Sequence, residues 1–175
     1  KRVNSPLDNA TNYFVAKSHM DRAEDLSVRK DGMGEAIQTV KSANEGIKAI
    51  TDLIASAKGI AQSALSAGTT ERATLATQFG AIRTQIDQLA EDSGYKGTNL
   101  LDSGTLEVKF NEDGSNTLSI TGFDASTSGL SISAAANNWA LDTNINAAIT
   151  NLDNALTTLR SEAKTLSSNL NIITT

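Results

Sequence analysis

The sequence has no cysteine, one histidine, one proline and few aromatic residues, which make up 4% of the chain. Without cysteine, disulfides, thiolate zinc sites and cysteine nucleophiles are excluded. A single histidine, His19, rules out a histidine-based metal site and an HExxH protease helix. The only proline, Pro6, lies near the amino end, so no later residue prevents very long helices.

Motifs that carry catalysis are also missing from the sequence. It contains no GxxxxGK[ST] loop, no GxGxxG turn and no GxSxG elbow. Catalysis needs titratable groups that converge in a cleft, and the isolated His19 offers no partner for one. We therefore expect a protein that is not an enzyme and that needs neither a metal nor a cofactor.

The charge balance argues against two classes of partner. The net charge is −5, and the 15 basic residues are dispersed among 20 acidic ones instead of forming a cluster. Binding to nucleic acid needs clustered lysine and arginine, so nucleic acid is not an expected partner. No apolar run approaches the ~20 residues of a membrane span, so a membrane is not expected either.

The residues that remain suit packed helices. Hydrophobic residues make up 39% of the chain, and with so few aromatics the core must consist of Leu, Ile, Val and Ala. Such residues suit the narrow seams between long helices. A length of 175 residues predicts a single domain over residues 1–175.

The first half of the chain predicts a helical hairpin. After an extended leading segment over residues 1–7, a long first helix is predicted over residues 8–67, followed by a second helix over residues 70–93. Gly68 suits the left-handed position after a helix, and Thr69 or Thr70 is a candidate N-cap. The short connection makes the two helices antiparallel. Their apolar residues advance by steps of four and three, at Met33, Ile37, Val40, Ala43, Ile47, Ile50, Ile54, Ala57, Ala61 and Ala64 and again at Leu75, Phe79, Ile82, Ile86 and Leu89.

The second half predicts a small β element and one more helix. Alternating apolar residues predict a β-hairpin region over residues 104–134. A C-terminal helix is predicted over residues 142–175 with its cap at Asp142 or Thr143, and Trp139 just before it is interpreted as a packing anchor. The apolar residues of this helix again alternate steps of four and three, at Ile145, Ile149, Leu152, Leu156, Leu159, Ala163, Leu166, Leu170 and Ile173. The predicted fold is mainly α, an elongated antiparallel bundle of long helices with a β-hairpin region at one end.

Several stretches resemble bacterial flagellins, and as a combination they cover almost the whole chain. Residues 2–10, RVNSPLDNA, are similar to the family's R-I-N-S-A-x-D-D-A-A, and residues 43–47, ANEGI, to its A-x-D-G-I-S. Residues 86–101 resemble I-x-x-I-A-x-x-T-x-F-N-G-x-x-L-L. Residues 149–160 are similar to the C-terminal helix, and residues 167–170, SSNL, fit the α-proteobacterial variant.

The resemblance implies a structural role in motility. Flagellin is the subunit of the filament that the bacterial rotary motor turns, and it assembles outside the cell. It is exported unfolded through a type III apparatus with an export chaperone, without a cleaved signal peptide. The resemblance also implies that the extreme terminal helices are missing from this chain, so we expect it to be a monomer in solution.

Six residues acquire expected roles from the resemblance. Arg2, Asn4, Asp8 and Arg160 lie in the matching stretches and are candidates for polar contacts between subunits or segments, or for capping and ion pairs within one molecule. Many flagellins are contacted by a vertebrate innate receptor through an arginine and a leucine of the first long helix. Alignment on residues 61–64 puts Ala55 and Gly59 at those positions, so we expect the receptor contact to be lost.

Two other classes of protein share some of these features. The hook-filament junction protein is a flagellin relative with both helical ends, but its middle region is usually longer than the short insert here. A coiled-coil adaptor or chaperone that binds partner helices would instead form a stable dimer.

Overall fold

The computed structural model describes residues 10–110 and 116–174, and it contains three long helices and one two-stranded antiparallel sheet. The predicted mainly α fold with a small β-hairpin is confirmed. The predicted leading segment, 1–7, lies outside the described residues. The elements in chain order are α1 (Ala10–Leu65), α2 (Thr69–Asp92), β1 (Thr105–Lys109), β2 (Thr117–Thr121), a single turn (Ala136–Trp139, called the Asn turn below) and α3 (Asp142–Thr174).

By its internal contacts the chain divides into two compact units. The first consists of Lys1–Ala36 and Glu107–Ser119, and the second of Ile37–Leu106 and Ile120–Thr175. In the first unit, Val28 and Gly32 of α1 line a shallow pocket together with Val108 of β1. The second unit holds most of the buried apolar side chains.

The buried stripe of α1 follows the predicted spacing. Met33 and Ile37 are half-buried, and every later member of the stripe is at most 5% exposed. Four of these later members are alanines, and such small side chains let neighbouring helices approach closely. The buried members are Val40, Ala43, Ile47, Ile50, Ile54, Ala57, Ala61 and Ala64.

The turn between α1 and α2 differs from the prediction. Gly68 is extended (φ −78°, ψ 170°) instead of left-handed, and it occupies the N-cap position itself. Thr69 and Thr70 are therefore the first residues of α2 and do not cap it. The usual reason for a left-handed glycine is to satisfy the last carbonyls of a helix, and here the Arg72 side chain donates to them instead.

The second helix runs back along the first. Gly46 of α1 lies against Ser93 at the end of α2, whereas Leu53 of α1 and Gln85 of α2 line a common furrow. Of the predicted α2 stripe only Phe79 and Ile86 are fully buried. The remaining members, Leu75, Ile82 and Leu89, are half-buried, and the buried face includes Ala76 and Ala90 in their place.

The third helix lies antiparallel to α1. Lys58 of α1 pairs with Asp153 of α3 at 2.7 Å, and Arg72 bonds to both Ala64 and Asp142. The start of α3 is therefore close to the end of α1. α3 begins at Asp142, so this residue belongs to the helix and is not its cap. The residue before it, Leu141, donates its backbone N–H to Asn144 Oδ1 at 3.2 Å.

The α3 stripe is buried at every seventh residue. The buried members, at Ile145, Leu152, Leu159, Leu166 and Ile173, are separated by one heptad each. Between them Ile149 and Leu156 are half-buried, and the alanines one residue earlier, Ala148 and Ala155, are buried instead. A small residue on the inner side brings the backbone of α3 closer to its neighbours than a leucine would allow.

The β region is shorter than predicted. The strands end at Thr121, and among residues 122–134 the structure contains no strand, although Leu130 and Ile132 are buried. This segment is held by backbone bonds such as Ala125 N–H to Leu101 O at 2.9 Å. No helix in the described ranges has the length and hydropathy of a membrane span.

Two glycines of α1 give a test of this packing. A Cβ added to Gly46 would collide with Ser93 and with Leu101 Cδ1, whereas one added to Gly59 meets no atom within 4 Å. Gly59→Ala should raise the free energy of unfolding by up to ~1 kcal/mol through helix propensity. Gly46→Ala should lower it by about 1–3 kcal/mol through overpacking, despite the same gain in propensity.

Urea unfolding followed by circular dichroism measures both changes, and each variant is the control for the other. Equal and favourable effects at the two positions would contradict the close contact at Gly46.

Candidate interaction surface

Of the residues predicted to make subunit or segment contacts, one lies in the described part of the chain. Arg160 is exposed on α3, and Arg2, Asn4 and Asp8 lie outside the described residues. The two expected receptor positions, Ala55 and Gly59, are both exposed on α1, one helical turn apart. They belong to a larger surface with an unusual composition.

This surface, the hairpin surface, is formed by exposed residues of α1 and α2 between Leu53 and Ile86. Only four of the 34 residues in that range are charged, which is about 12%, whereas charged residues make up 20% of the whole chain. Apart from Glu71, its exposed residues are small or carry neutral hydroxyl and amide groups. They are Ala55, Ser56, Gly59, Gln62, Ser63, Ser66, Gly68, Thr69, Thr70, Thr74, Thr77, Gln78, Ala81, Thr84 and Gln85.

Three of the four charged residues in the range are engaged inside the chain. Lys58 pairs with Asp153, Arg72 bonds to carbonyls and to Asp142, and Arg83 bonds to a loop carbonyl. The fourth, Glu71, lies in the first turn of α2, where the helix dipole favours a negative charge.

Four hydroxyl groups of the hairpin surface donate to carbonyls of their own helix. Ser63 donates to the carbonyl of Gly59 at 3.0 Å, and Thr77 donates to that of Ala73 at 3.1 Å. The hydroxyls of Thr74 and Thr84 make the same bond to the residue four positions earlier. Because these four donors already have acceptors, burying them under a partner leaves their hydroxyl hydrogens paired.

One arginine ties the three long helices together beneath this surface. The Nε group of Arg72 donates to Ala64 O at 2.9 Å, and Nη2 donates to Leu65 O at 3.1 Å, both at the end of α1. The Nη1 group donates to Ala140 O at 3.1 Å, and Nη2 reaches Asp142 Oδ1 at 2.7 Å at the start of α3. Only 12% of the Arg72 side chain is exposed. The side chain caps the end of α1 and binds the start of α3.

A second pair on α2 holds the loop after the sheet. Asp87 accepts the backbone N–H of Thr127 at 2.8 Å and its hydroxyl at 2.9 Å. Four residues earlier, Arg83 Nε donates to Ile132 O at 3.0 Å. Asp87 is itself exposed, yet it binds the buried Thr127.

The loop before the sheet is held by an asparagine. Asn99 Nδ2 donates to Ala90 O at 2.7 Å and to Glu91 O at 2.9 Å, which are carbonyls at the end of α2. Its Oδ1 accepts the N–H of Leu101 at 2.9 Å. Sequence reasoning missed this role and those of Arg72, Arg83 and Asp87. The spacing of Arg83 and Asp87, four residues apart on one helix, was the only available signal, and it does not identify the loop.

The described residues include no metal-binding cluster, and the hairpin carries a furrow. Residues 10–110 and 116–174 contain no group of three metal-ligating His, Cys, Asp or Glu side chains. The furrow between α1 and α2 has a volume of about 430 Å³, with Ala49, Leu53 and Leu89 among its lining residues and Asp52 and Asp92 beside them. Two antiparallel helices with a neutral surface and a third helix clamped against them define a helical-bundle structural domain.

Comparison with known proteins identifies the family. The profile of the bacterial flagellin N-terminal helical region matches residues 1–105. Flagellins FljK and FljO of Caulobacter vibrioides are 28% and 27% identical over 153 residues, which are 82% of this chain and 56% of each relative. The crystal structure of Bacillus cereus flagellin has a TM-score of 0.68 at 19% identity, and the match covers 81% of this chain and 83% of that one.

The chain belongs to the bacterial flagellin family. The resemblance to flagellins noted from the sequence is thereby confirmed. The Caulobacter relatives also fit the α-proteobacterial type that residues 167–170 indicated. The chain spans about half the length of those relatives.

The bonds between Asp87 and Thr127 predict opposite effects for substitutions of two acidic residues of α2. Asp87→Ala removes the carboxylate oxygen that accepts both bonds from the buried Thr127 and should lower the free energy of unfolding by about 1–3 kcal/mol. Glu91→Ala removes a negative charge from the last turn of the same helix, where the dipole disfavours it, and should raise stability slightly, by up to ~0.5 kcal/mol. Thermal unfolding compares the two, and equal losses would rule out a specific role for Asp87.

Proposed function

We propose that this chain is a non-catalytic structural subunit of the bacterial flagellar filament. The observation that carries the proposal is the hairpin surface, a rigid and neutral surface on a chain of the flagellin family. In this proposal the chain works outside the cell, in the appendage used for motility. Its relatives in Caulobacter are named flagellins, which favours the filament over the hook-filament junction.

The hairpin surface suits contacts with other subunits for a physical reason. Burying a charged side chain against a partner requires its desolvation, and the centres of protein interfaces are depleted in charge accordingly. Small side chains such as Ala55 and Ala81 also let a partner helix approach closely. A head-to-tail contact of this surface with a different surface of the next subunit would generate an open helical polymer.

The export partners belong to the same proposal. A filament subunit reaches its site of assembly through the type III apparatus as an unfolded chain, delivered by an export chaperone. The absence of cysteine supports this route, because no disulfide could form before or during an unfolded passage.

The assembly role is tested by placing a charge on the hairpin surface without changing its shape. Gln62→Glu and Gln78→Glu each replace one amide nitrogen by oxygen on an exposed residue of the surface. In a strain whose own gene for this chain is deleted, the wild-type gene should restore filaments. Each variant should shorten them, with at least ~10-fold less polymer, because a contact now buries an unpaired carboxylate.

Gln38→Glu is the matched control. Gln38 is exposed on the same helix, but Glu35 and Lys41 flank it, so one more charge there should leave filament length unchanged. Electron microscopy and swimming assays give the readout. If the wild-type gene restores no filaments to a strain that lacks every flagellin gene, the proposed function fails; if it restores them and all three variants also assemble normally, only the role of the surface fails.

We also propose that the chain escapes the vertebrate innate receptor that contacts many flagellins. The support is the identity of Ala55 and Gly59 at the aligned positions, because neither offers a guanidinium or a large apolar side chain. Loss of an arginine or a leucine from the centre of an interface costs a few kcal/mol, about 2 or more for each hot-spot residue.

Adding the two missing side chains should restore recognition. The double variant Ala55→Arg with Gly59→Leu should activate a receptor reporter cell line at nanomolar protein, whereas the wild type should not. Ser161→Arg with Thr165→Leu, an exposed pair with the same spacing on α3, is the control and should stay inactive. Activation by the wild type at nanomolar concentration would contradict the proposal.

A further inference from the structure

The Asn turn has an unusual backbone. Asn137 (φ 51°, ψ 35°) and Asn138 (φ 49°, ψ 29°) are left-handed, and Trp139 follows with φ 57°. Asparagine tolerates this conformation better than most residues, but a bulky residue such as tryptophan rarely adopts it. Three consecutive residues of this kind without a glycine make the turn a strained segment, held only if its surroundings over-determine it.

The surroundings hold the turn from two sides. Trp139 is fully buried, and its ring lies 5.0 Å from that of Phe79 on α2. Arg72, also on α2, bonds to Ala140 O and to Asp142 immediately after the turn. Both of these contacts come from α2 and act on the residues that lead into α3.

The buried tryptophan is also incompletely satisfied. Its Nε1 atom is buried and has no acceptor among residues 10–110 and 116–174. A buried donor without a partner is rare in folded proteins, because leaving water without a replacement bond is unfavourable. Packing against Phe79 therefore holds the indole in a position that leaves its N–H group unpaired and its backbone left-handed.

From these observations we propose that the Asn turn is a two-position joint. In the position seen here it is closed, with Trp139 packed against Phe79 and with Arg72 as the latch. In the open position the backbone of residues 137–139 returns to negative φ, and the indole N–H reaches water. The first turn of α3 then moves away from α2 while the rest of α3 stays packed along α1. The joint is a property of the folded chain and does not depend on the proposed function.

The only tryptophan of the chain reports directly on the joint. In the full chain at 25 °C, Arg72→Met removes the latch and should raise the acrylamide quenching constant of Trp139 at least ~3-fold as the open position becomes populated. Far-UV circular dichroism should retain the helix signal of the wild type. The emission maximum should shift to the red at the same time.

A second variant separates a strained joint from an ordinary loop contact. Adding Asn137→Gly and Asn138→Gly to Arg72→Met removes the left-handed cost at two of the three residues and should lower the quenching constant towards the wild-type value. In an unstrained loop the same glycines would add freedom and expose Trp139 further. Restored burial therefore supports the joint, and increased quenching overturns it.

Two controls complete the test. Lys58→Met breaks the ion pair between α1 and α3 without touching the turn, so Trp139 should stay protected. Should Arg72→Met lose its helices, Phe79→Leu removes the other restraint and should give the same increase, reversed by the same glycines. A tryptophan that stays protected in both variants until the helices melt overturns the proposal.

Discussion

The second unit depends on close packing of α1 residues 37–65 against α2 and α3. Alanine at Ala43, Ala57, Ala61 and Ala64 keeps the helices close together, and isoleucine at Ile50 and Ile54 fills the space between them. Close packing of this kind tolerates little change in volume, as the contact of Gly46 with Ser93 and Leu101 illustrates. The rigidity of the hairpin, and hence of its neutral surface, follows from this packing.

Rigid helices still have to be fixed at their ends, and polar side chains do that here. Arg72 satisfies carbonyls at the end of α1, and Asn99 satisfies carbonyls at the end of α2. Neither helix has a basic residue in its last turn, so the usual compensation of the dipole is absent there. Donors from elsewhere in the chain take that place. Each end of the hairpin is thus joined to the segment that follows it.

Whether a feature of this structure could be predicted from the sequence depends on how far apart along the chain the interacting residues lie. The stripes of α1 and α3 were predictable because helical periodicity is local and repeats over several turns. The cap at Gly68 was predicted wrongly because the residue that satisfies the α1 carbonyls, Arg72, belongs to the next helix. The clamp of Asp87 on Thr127 joins residues 40 positions apart, and no local pattern encodes such a pairing. The left-handed Trp139 contradicts its own backbone preference and is explained only by its tertiary contacts.

The hairpin surface and the Asn turn both depend on α2, the first on its exposed side and the second on its inner side. On its exposed side α2 presents neutral groups such as Thr77 and Gln78, each of which contributes little to a contact alone. In the proposed filament many weak contacts of this kind would add up, without an apolar patch that would make the free subunit aggregate. On its inner side the same helix carries Phe79 and Arg72, which hold a strained turn in place. Among the described residues this turn is the longest run of left-handed backbone, and the helix that carries the neutral surface is also the one that holds it in place.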